Sequence, residues 1–83
     1  MNIFATVRMD KNLHLIALGN QIRVLRKAAG ISQEELALQA GVDRSYMGSI
    51  ERGSRNVTIL TLVKIATCLK CTLSDLTQNM PYE

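Results

Sequence analysis

The side chains with the most reactive chemistry are one histidine, His14, and two cysteines, Cys68 and Cys71, spaced as Cys-x-x-Cys. That spacing is typical of redox sites, which place it at a helix N-terminus, and of zinc sites, which need two further ligands. Here the pair falls at a predicted helix C-terminus, where the helix dipole opposes a thiolate, and only His14 and carboxylates remain as ligands. We therefore expect two small core-filling thiols and a surface histidine, with no catalytic site, metal or cofactor.

A different chemistry is indicated by the polar side of a short predicted helix. Its outer positions carry two cations and no bulky hydrophobe; they are Arg44, Ser45, Gly48, Ser49 and Arg52. Arginine and serine can reach base edges or phosphates when a helix enters the major groove of DNA. The alternative is a helical hairpin whose polar side meets only water. This helix alone does not decide between the two interpretations.

The residues around this helix predict that it is the second half of a helix-turn-helix. Ser32 and Glu35 form an S-x-x-E capping box at the start of a preceding short helix. Gly41 follows the last apolar position of that helix, where a residue that tolerates positive φ is favoured. Asp43 can then cap the second helix. Two short helices joined by a glycine-containing turn are typical of the motif.

Three further helices are predicted from apolar residues at 3.6-residue spacing. The first runs from a possible cap at Asp10 to Gly30, the fourth begins after Thr58, and a last short helix begins at Thr72 or Ser74. The predicted core-facing positions are Leu15, Leu18, Ile22, Leu25 and Ala29 in the first helix and Ile59, Leu62, Ile65, Ala66 and Leu69 in the fourth. Five helices with short loops predict a compact all-α bundle.

Size and charge limit the remaining possibilities. Eighty-three residues fit one domain, which we place at residues 10–78, between a weakly patterned extension at 1–9 and a tail at 79–83. The net charge of +3 favours a polyanionic partner. No apolar run approaches the roughly 18 to 20 residues of a membrane span, and residues 1–7 are too short for a signal peptide. We therefore expect a cytoplasmic protein without membrane contact.

These residues resemble the phage repressor and Cro-type helix-turn-helix family of DNA-binding domains. The resemblance covers about Leu18 to Leu76 and rests on I-R-V-L-R at 22–26, G-I-S-Q-E-E-L-A at 30–37, A-G-V at 40–42, I-E-R-G at 50–53 and T-L-V-K-I-A at 61–66. It implies a five-helix, lambda-repressor-like domain. Within the family, D-R-S-Y at 43–46 and I-E-R-G-S-R-N at 50–56 look most like the controller proteins of restriction–modification systems, which are stand-alone, dimeric autoregulators.

The resemblance implies a role for most polar residues around the motif. Arg44, Ser45 and Ser49 would face base edges, and Arg44 could bind a guanine through its two acceptors. Gln33 would bond a DNA phosphate, assisted by the dipole of the helix that it begins. Contacts to the sugar-phosphate backbone or the groove edge would come from Tyr46, Arg52, Ser54, Arg55 and Asn56.

The same comparison implies one structural pair and points to a subunit interface. Arg26 and Glu51 would pair between the first and third helices and fix the reading helix; the alternative for Arg26 is a plain surface cation. Leu60 and Val63 depart from the family pattern, which is commonly polar there, and neighbouring hydrophobes on one side of a helix indicate an interface. The last helix and tail would extend this dimer patch through Leu73, Leu76 or Met80. The alternative is scattered surface hydrophobes.

We therefore predict a homodimeric, sequence-specific regulator of transcription that binds a pseudo-palindromic operator in double-stranded DNA. Its occupancy would be set by dimerisation, without a small-molecule ligand. One alternative is a prophage-type repressor. Another is an antitoxin or adaptor whose main partner is a second protein, for which only residues 1–9 and 78–83 are spare. An enzyme is disfavoured because no acid/base pair lies in plausible register.

Overall fold

The computed structural model describes residues 12–81, which form five helices and no strand. The helices are α1 (Leu13–Ala28), α2 (Gln33–Ala40), α3 (Arg44–Arg52), α4 (Ile59–Leu69) and α5 (Leu73–Thr77). The predicted all-α, five-helix architecture is confirmed. Along the described residues no helix combines the length and apolarity needed to cross a bilayer. The predictions for residues 1–9 lie outside the described residues. The prediction that Asp10 caps the first helix is wrong, because α1 begins at Leu13 and its cap is Asn12.

Each helix begins at a side chain that accepts a hydrogen bond from the backbone of the first turn. These caps are Asn12, Ser32, Asp43, Thr58 and Thr72. The Ser32 hydroxyl accepts from the Glu35 N–H at 3.0 Å, and the Glu35 carboxylate accepts from the Ser32 N–H at 3.2 Å, which completes the predicted capping box. Thr72 and Asp75 form a second such box, and the Thr72 hydrogen bonds lower the pKa of Asp75. Local sequence therefore determines where each helix starts.

The turn between α2 and α3 comprises residues 41–43 and depends on a left-handed residue. Gly41 has a φ of 70°, and Gly53, which ends α3, has a φ of 74°. Both glycines were predicted at these helix ends. Lys70 adopts the same conformation at the end of α4, with a φ of 56°, although it carries a side chain.

The core lies where α3 packs against α1 and α2, and where α4 and α5 close the opposite side. Its largest fully buried side chains are Ile22, Leu36, Met47, Ile50, Ile65 and Leu76. The prediction that Leu76 extends a dimer surface is therefore wrong. Leu76 is the inward-facing residue of a helix only five residues long, and it fills the core of its own protomer.

Four predicted core positions need correction. Ile59 is 60% exposed, because the first residue of α4 is not covered by any neighbouring helix. Ala29 is exposed because it caps the end of α1 rather than continuing its buried stripe. Leu15 and Leu25 are half-buried at the margins of that stripe. The buried faces of α1 and α4 are thus narrower than their apolar patterns indicate.

Gly19, in the middle of α1, allows the backbones of α1 and α3 to approach closely. A Cβ at Gly19 would lie 2.6 Å from the Glu51 carbonyl oxygen and closer still to that of Ile50. Both obstacles are backbone atoms, which cannot move without displacing α3. The sequence shows only a glycine inside a helix, a signal that usually has a packing reason.

We predict that Gly19→Ala destabilises the fold by about 1–3 kcal/mol, because the added methyl group must separate two backbones. Alanine is the better helix former, so intrinsic propensity acts in the opposite direction. Urea unfolding measures the net effect. The control is Val24→Ala at an exposed position of α1, expected within about 0.5 kcal/mol of wild type. A Gly19→Ala protein as stable as wild type would contradict the close approach.

Candidate nucleic-acid interface

Helix α3 is anchored by its apolar side and presents most of its polar side to solvent. Met47 and Ile50 are buried against the rest of the core. Arg44, Ser45 and Arg52 are exposed on the opposite side. A helix that is held in this way can be inserted into a groove without uncovering its own core.

A buried ion pair fixes α3 against α1, as the family resemblance implied. The Arg26 Nε lies 2.7 Å from the Glu51 Oε2, and the Arg26 Nη2 donates to the Glu51 Oε1 at 3.0 Å. The third Arg26 nitrogen, Nη1, donates to the Ile31 carbonyl at 3.0 Å. The hydrogen bond to Glu51 raises the pKa of Arg26, in opposition to the effect of burial. Arg26 is therefore not the surface cation that was the alternative.

Gln33, the first residue of α2, joins the same pair. Its Nε2 donates to the Glu51 Oε1 at 3.1 Å, so one carboxylate receives hydrogen bonds from both α1 and α2. An ionised carboxylate can only accept, which requires the amide nitrogen of Gln33 to face Glu51. The amide oxygen, the second amide N–H and the N-terminus of α2 remain for an external partner.

Ser49 lies in a different place from the one predicted. It is 7% exposed, and its hydroxyl donates to the Tyr46 carbonyl at 2.7 Å. Its side chain is therefore buried beside the polar side of α3 instead of facing outward. The physical reason is its position at the border of the two sides of the helix, directly before the fully buried Ile50. Gly48, also predicted to be on the outer side, is covered by the side chains of Gln33 and Arg52.

The loop that follows α3 is held against that helix by three contacts. The Tyr46 hydroxyl donates to the Asn56 carbonyl at 3.0 Å, and the Arg55 guanidinium lies 5.9 Å from the centre of the Tyr46 ring. The Ser54 hydroxyl donates to the Ser49 carbonyl at 3.2 Å. Arg55 and Arg52 both line the pocket on this side of α3.

Two polar pockets flank α3 and collect almost all the predicted DNA-contacting residues. One, of about 400 Å³, is lined by Asp43, Ser45, Tyr46, Ser49, Arg52, Ser54 and Arg55. The other, of about 240 Å³, is lined by Gln33, Arg44, Ser45, Gly48 and Arg52. Ser45 and Arg52 border both pockets. Asn56 lines neither pocket but accepts the Tyr46 hydrogen bond.

The cysteine pair lies away from this surface. Cys68 and Cys71 are both half-buried free thiols at the junction of α4 and α5. Burial, and then the charge of Asp75, raise the pKa of Cys71, which disfavours the reactive thiolate. Among the described residues, no three histidine, cysteine or acidic side chains gather in a group that could hold a metal ion.

We predict that Glu51→Ala destabilises the protein by about 3–5 kcal/mol, because it leaves the Arg26 charge buried without a partner. Urea unfolding measures the loss. The control is the double variant Arg26→Met/Glu51→Leu, in which no charge is buried and most of the lost stability should return. If the double variant lost as much as Glu51→Ala, the unpaired charge would not be the cause.

Comparison with known proteins agrees with this geometry. A helix-turn-helix family model matches residues 22–76, more than half of the chain. The chain is 44% identical to the control protein C.MunI of a Mycoplasma species, over 82% of this chain and 93% of that protein. It is 41% identical to the control protein C.SmaI of Serratia marcescens, over 71% and 70% respectively.

A solved structure extends the similarity to three dimensions. The restriction–modification controller protein C.AhdI of Aeromonas hydrophila superposes with a TM-score of 0.73 at 47% sequence identity. The match covers 75% of this chain and 94% of C.AhdI. The chain therefore belongs to the helix-turn-helix family of DNA-binding transcriptional regulators, and within that family it is similar to restriction–modification control proteins.

Proposed function

We propose that this protein is a controller-type autoregulator of a restriction–modification system, which binds a pseudo-palindromic operator as a homodimer. The observation that carries the proposal is the exposed polar side of α3, held in one orientation by the buried Arg26–Glu51 pair. Its relatives include control proteins that cover nearly the same length. Phosphate contacts supply most of the affinity, and base contacts determine the sequence that is bound.

The base-reading residues in this proposal are Arg44 and Ser45. Both are exposed in the first turn of α3, and the N-terminal residues of a recognition helix contact base edges in this type of motif. The Arg44 guanidinium can bind the O6 and N7 acceptors of a guanine. Ser49 has no such role, because its hydroxyl already donates to the backbone of α3.

The backbone contacts come from the two pockets on either side of α3. Gln33 and the N-terminus of α2 border the smaller pocket, where N–H groups and the helix dipole favour a phosphate. Tyr46, Arg52 and Arg55 border the larger pocket. A helix in the major groove lies between two phosphate strands, so one pocket serves each strand. Ser54 and Asn56 support the larger pocket through their hydrogen bonds to α3.

The dimer forms, in this proposal, through the outer side of α4. Leu60 is 70% exposed and Val63 is 42% exposed, one helical turn apart, and Ile59 extends the same apolar surface. Leu73 and Met80 pack partly against the core and leave part of their surface for the edge of the interface. A two-fold axis at this surface duplicates α3, as a pseudo-palindromic operator requires. Occupancy then depends on protein concentration through dimerisation.

Two variants distinguish the residues that contact DNA bases from those that contact the DNA backbone. The test DNA is the duplex that the wild-type protein enriches from a random-sequence library. Arg44→Ala should weaken binding to this duplex by about 1–3 kcal/mol and relax the preference at one base pair in each half-site. Arg55→Ala should weaken binding to all sequences by similar factors and reduce the log–log salt slope by about 1 per protomer. Titrations at several salt concentrations measure both effects.

Ser49→Ala serves as the control on the same helix, and its base preference should match that of wild type. With about 6 to 10 phosphates neutralised, the wild-type salt slope should lie at roughly −5 to −9. A slope near zero contradicts the proposal. If Arg44→Ala lost only non-specific affinity, the assignment of base and backbone contacts would be wrong.

The second prediction concerns the dimer. Leu60→Glu places a charge in the proposed interface and should convert the dimer to a monomer, as measured by sedimentation equilibrium. Its binding to the enriched duplex should fall together with dimerisation, because the two half-sites are no longer linked. The matched control is Val24→Glu, an exposed apolar position on α1, which should leave the dimer intact. Dimers of equal strength in both variants would place the interface elsewhere.

A further inference from the structure

We propose that Gly48 is a positioning residue for DNA binding, because the side-chain ends of Gln33 and Arg52 lie directly against the space that a side chain at this position would fill. This inference rests on the proposed DNA-reading role of α3. By lacking a side chain, Gly48 determines where the polar ends of Gln33 and Arg52 lie. The protein would then accept a less stable α3 in return for that geometry.

The surroundings of Gly48 differ from those of the other glycines. A Cβ at this position would lie 3.2 Å from the Arg52 Nη1 and 3.4 Å from the Gln33 Oε1. The next nearest atom, at 3.9 Å, also belongs to the Gln33 side chain. The obstacles at Gly19 are backbone atoms, whereas the nearest atoms at Gly48 are ends of side chains. The fold can therefore accept a methyl group here, and the polar surface must change to make room for it.

Backbone conformation does not require glycine at this position. Gly41 and Gly53 have positive φ, but Gly48 lies inside α3 with ordinary helical geometry. Glycine is a poor helix former, so it lowers the stability of a nine-residue helix compared with alanine. Since neither backbone conformation nor core packing requires glycine at position 48, we infer that the polar surface around it does.

Gln33 shows what that requirement is. Its Nε2 is held by Glu51, and its Oε1 lies above Gly48, so the carboxamide crosses from α2 onto α3. The Arg52 guanidinium approaches the same point from the other end of α3. Both groups border the smaller polar pocket, as does Gly48 itself. A methyl group at position 48 would touch the Gln33 carboxamide at ordinary contact distance and would force the Arg52 guanidinium to shift by a few tenths of an ångström.

The test is Gly48→Ala, which should change stability and DNA binding in opposite directions. Thermal unfolding should show a Tm higher by about 3–6 °C, from the gain in helix propensity. Affinity for the duplex enriched by wild type should fall roughly tenfold, since displaced groups lose contacts in both half-sites. If Gly48 were required only for the fold, Gly48→Ala would lower the Tm of the protein. The control is Val24→Ala, at an exposed position of α1, whose affinity for the same duplex should match that of wild type.

A second comparison ties the effect to the two named side chains. In a Gln33→Ala/Arg52→Ala background, adding Gly48→Ala should change affinity for the same duplex by less than about twofold, because the groups it displaces are already absent. The inference is overturned if Gly48→Ala binds as tightly as wild type, if its Tm falls, or if its full affinity loss persists in that background. If wild type enriches no duplex at all, the proposed function itself fails.

Discussion

The buried ion pair between Arg26 and Glu51 fixes α3 against α1 and, through Gln33, against α2. Removing two charges from water is costly, and the pair is tolerated only because the hydrogen-bonding groups around it are satisfied. The Ile31 carbonyl and the Gln33 amide complete that set. One carboxylate on α3 thereby receives donors from α1 and α2, and the relative orientation of three helices becomes a single geometric condition. The same contact that anchors α3 also orients Gln33 beside it.

Three glycines show how closely the reading helix is fitted to its surroundings. Gly41 is required by backbone conformation, since the turn before α3 needs a positive φ. Gly19 is required by packing, since backbone atoms of α3 leave no room for a Cβ. Gly48 meets neither requirement, and the side-chain ends of Gln33 and Arg52 lie above it. The first two hold α3 in place, and the third shapes the surface that α3 presents.

Features set by short-range sequence could be predicted from the residues themselves, whereas tertiary contacts could not; the Arg26–Glu51 pair was expected only from the family resemblance. Capping and turn chemistry act within a few residues, which is why the starts of α2, α3 and α4 and the glycine-terminated ends of α2 and α3 were predicted correctly. The start of α1 was placed too early, at Asp10 instead of Asn12. The placement of Ser49 was wrong because periodicity identifies the two sides of a helix but not their border. Leu76 was misplaced because a helix of five residues has too few positions to define a face. The contact made by Gly19 depends on a helix about 30 positions away, so only its unusual place within α1 could have drawn attention to it.

In the proposed function, the polar side of α3, duplicated by a two-fold axis, reads the major groove of duplex DNA. Methylation interference on the enriched duplex tests this most directly, because a methyl group on guanine N7 blocks the major groove and one on adenine N3 blocks the minor groove. If α3 reads the major groove, interference should appear at guanine N7 in two clusters centred about 10 base pairs apart, one helical turn. In the Arg44→Ala variant, interference should disappear at one guanine in each half-site, the one that Arg44 contacts. Interference confined to adenine N3, or a single cluster without symmetry, would contradict the proposed function.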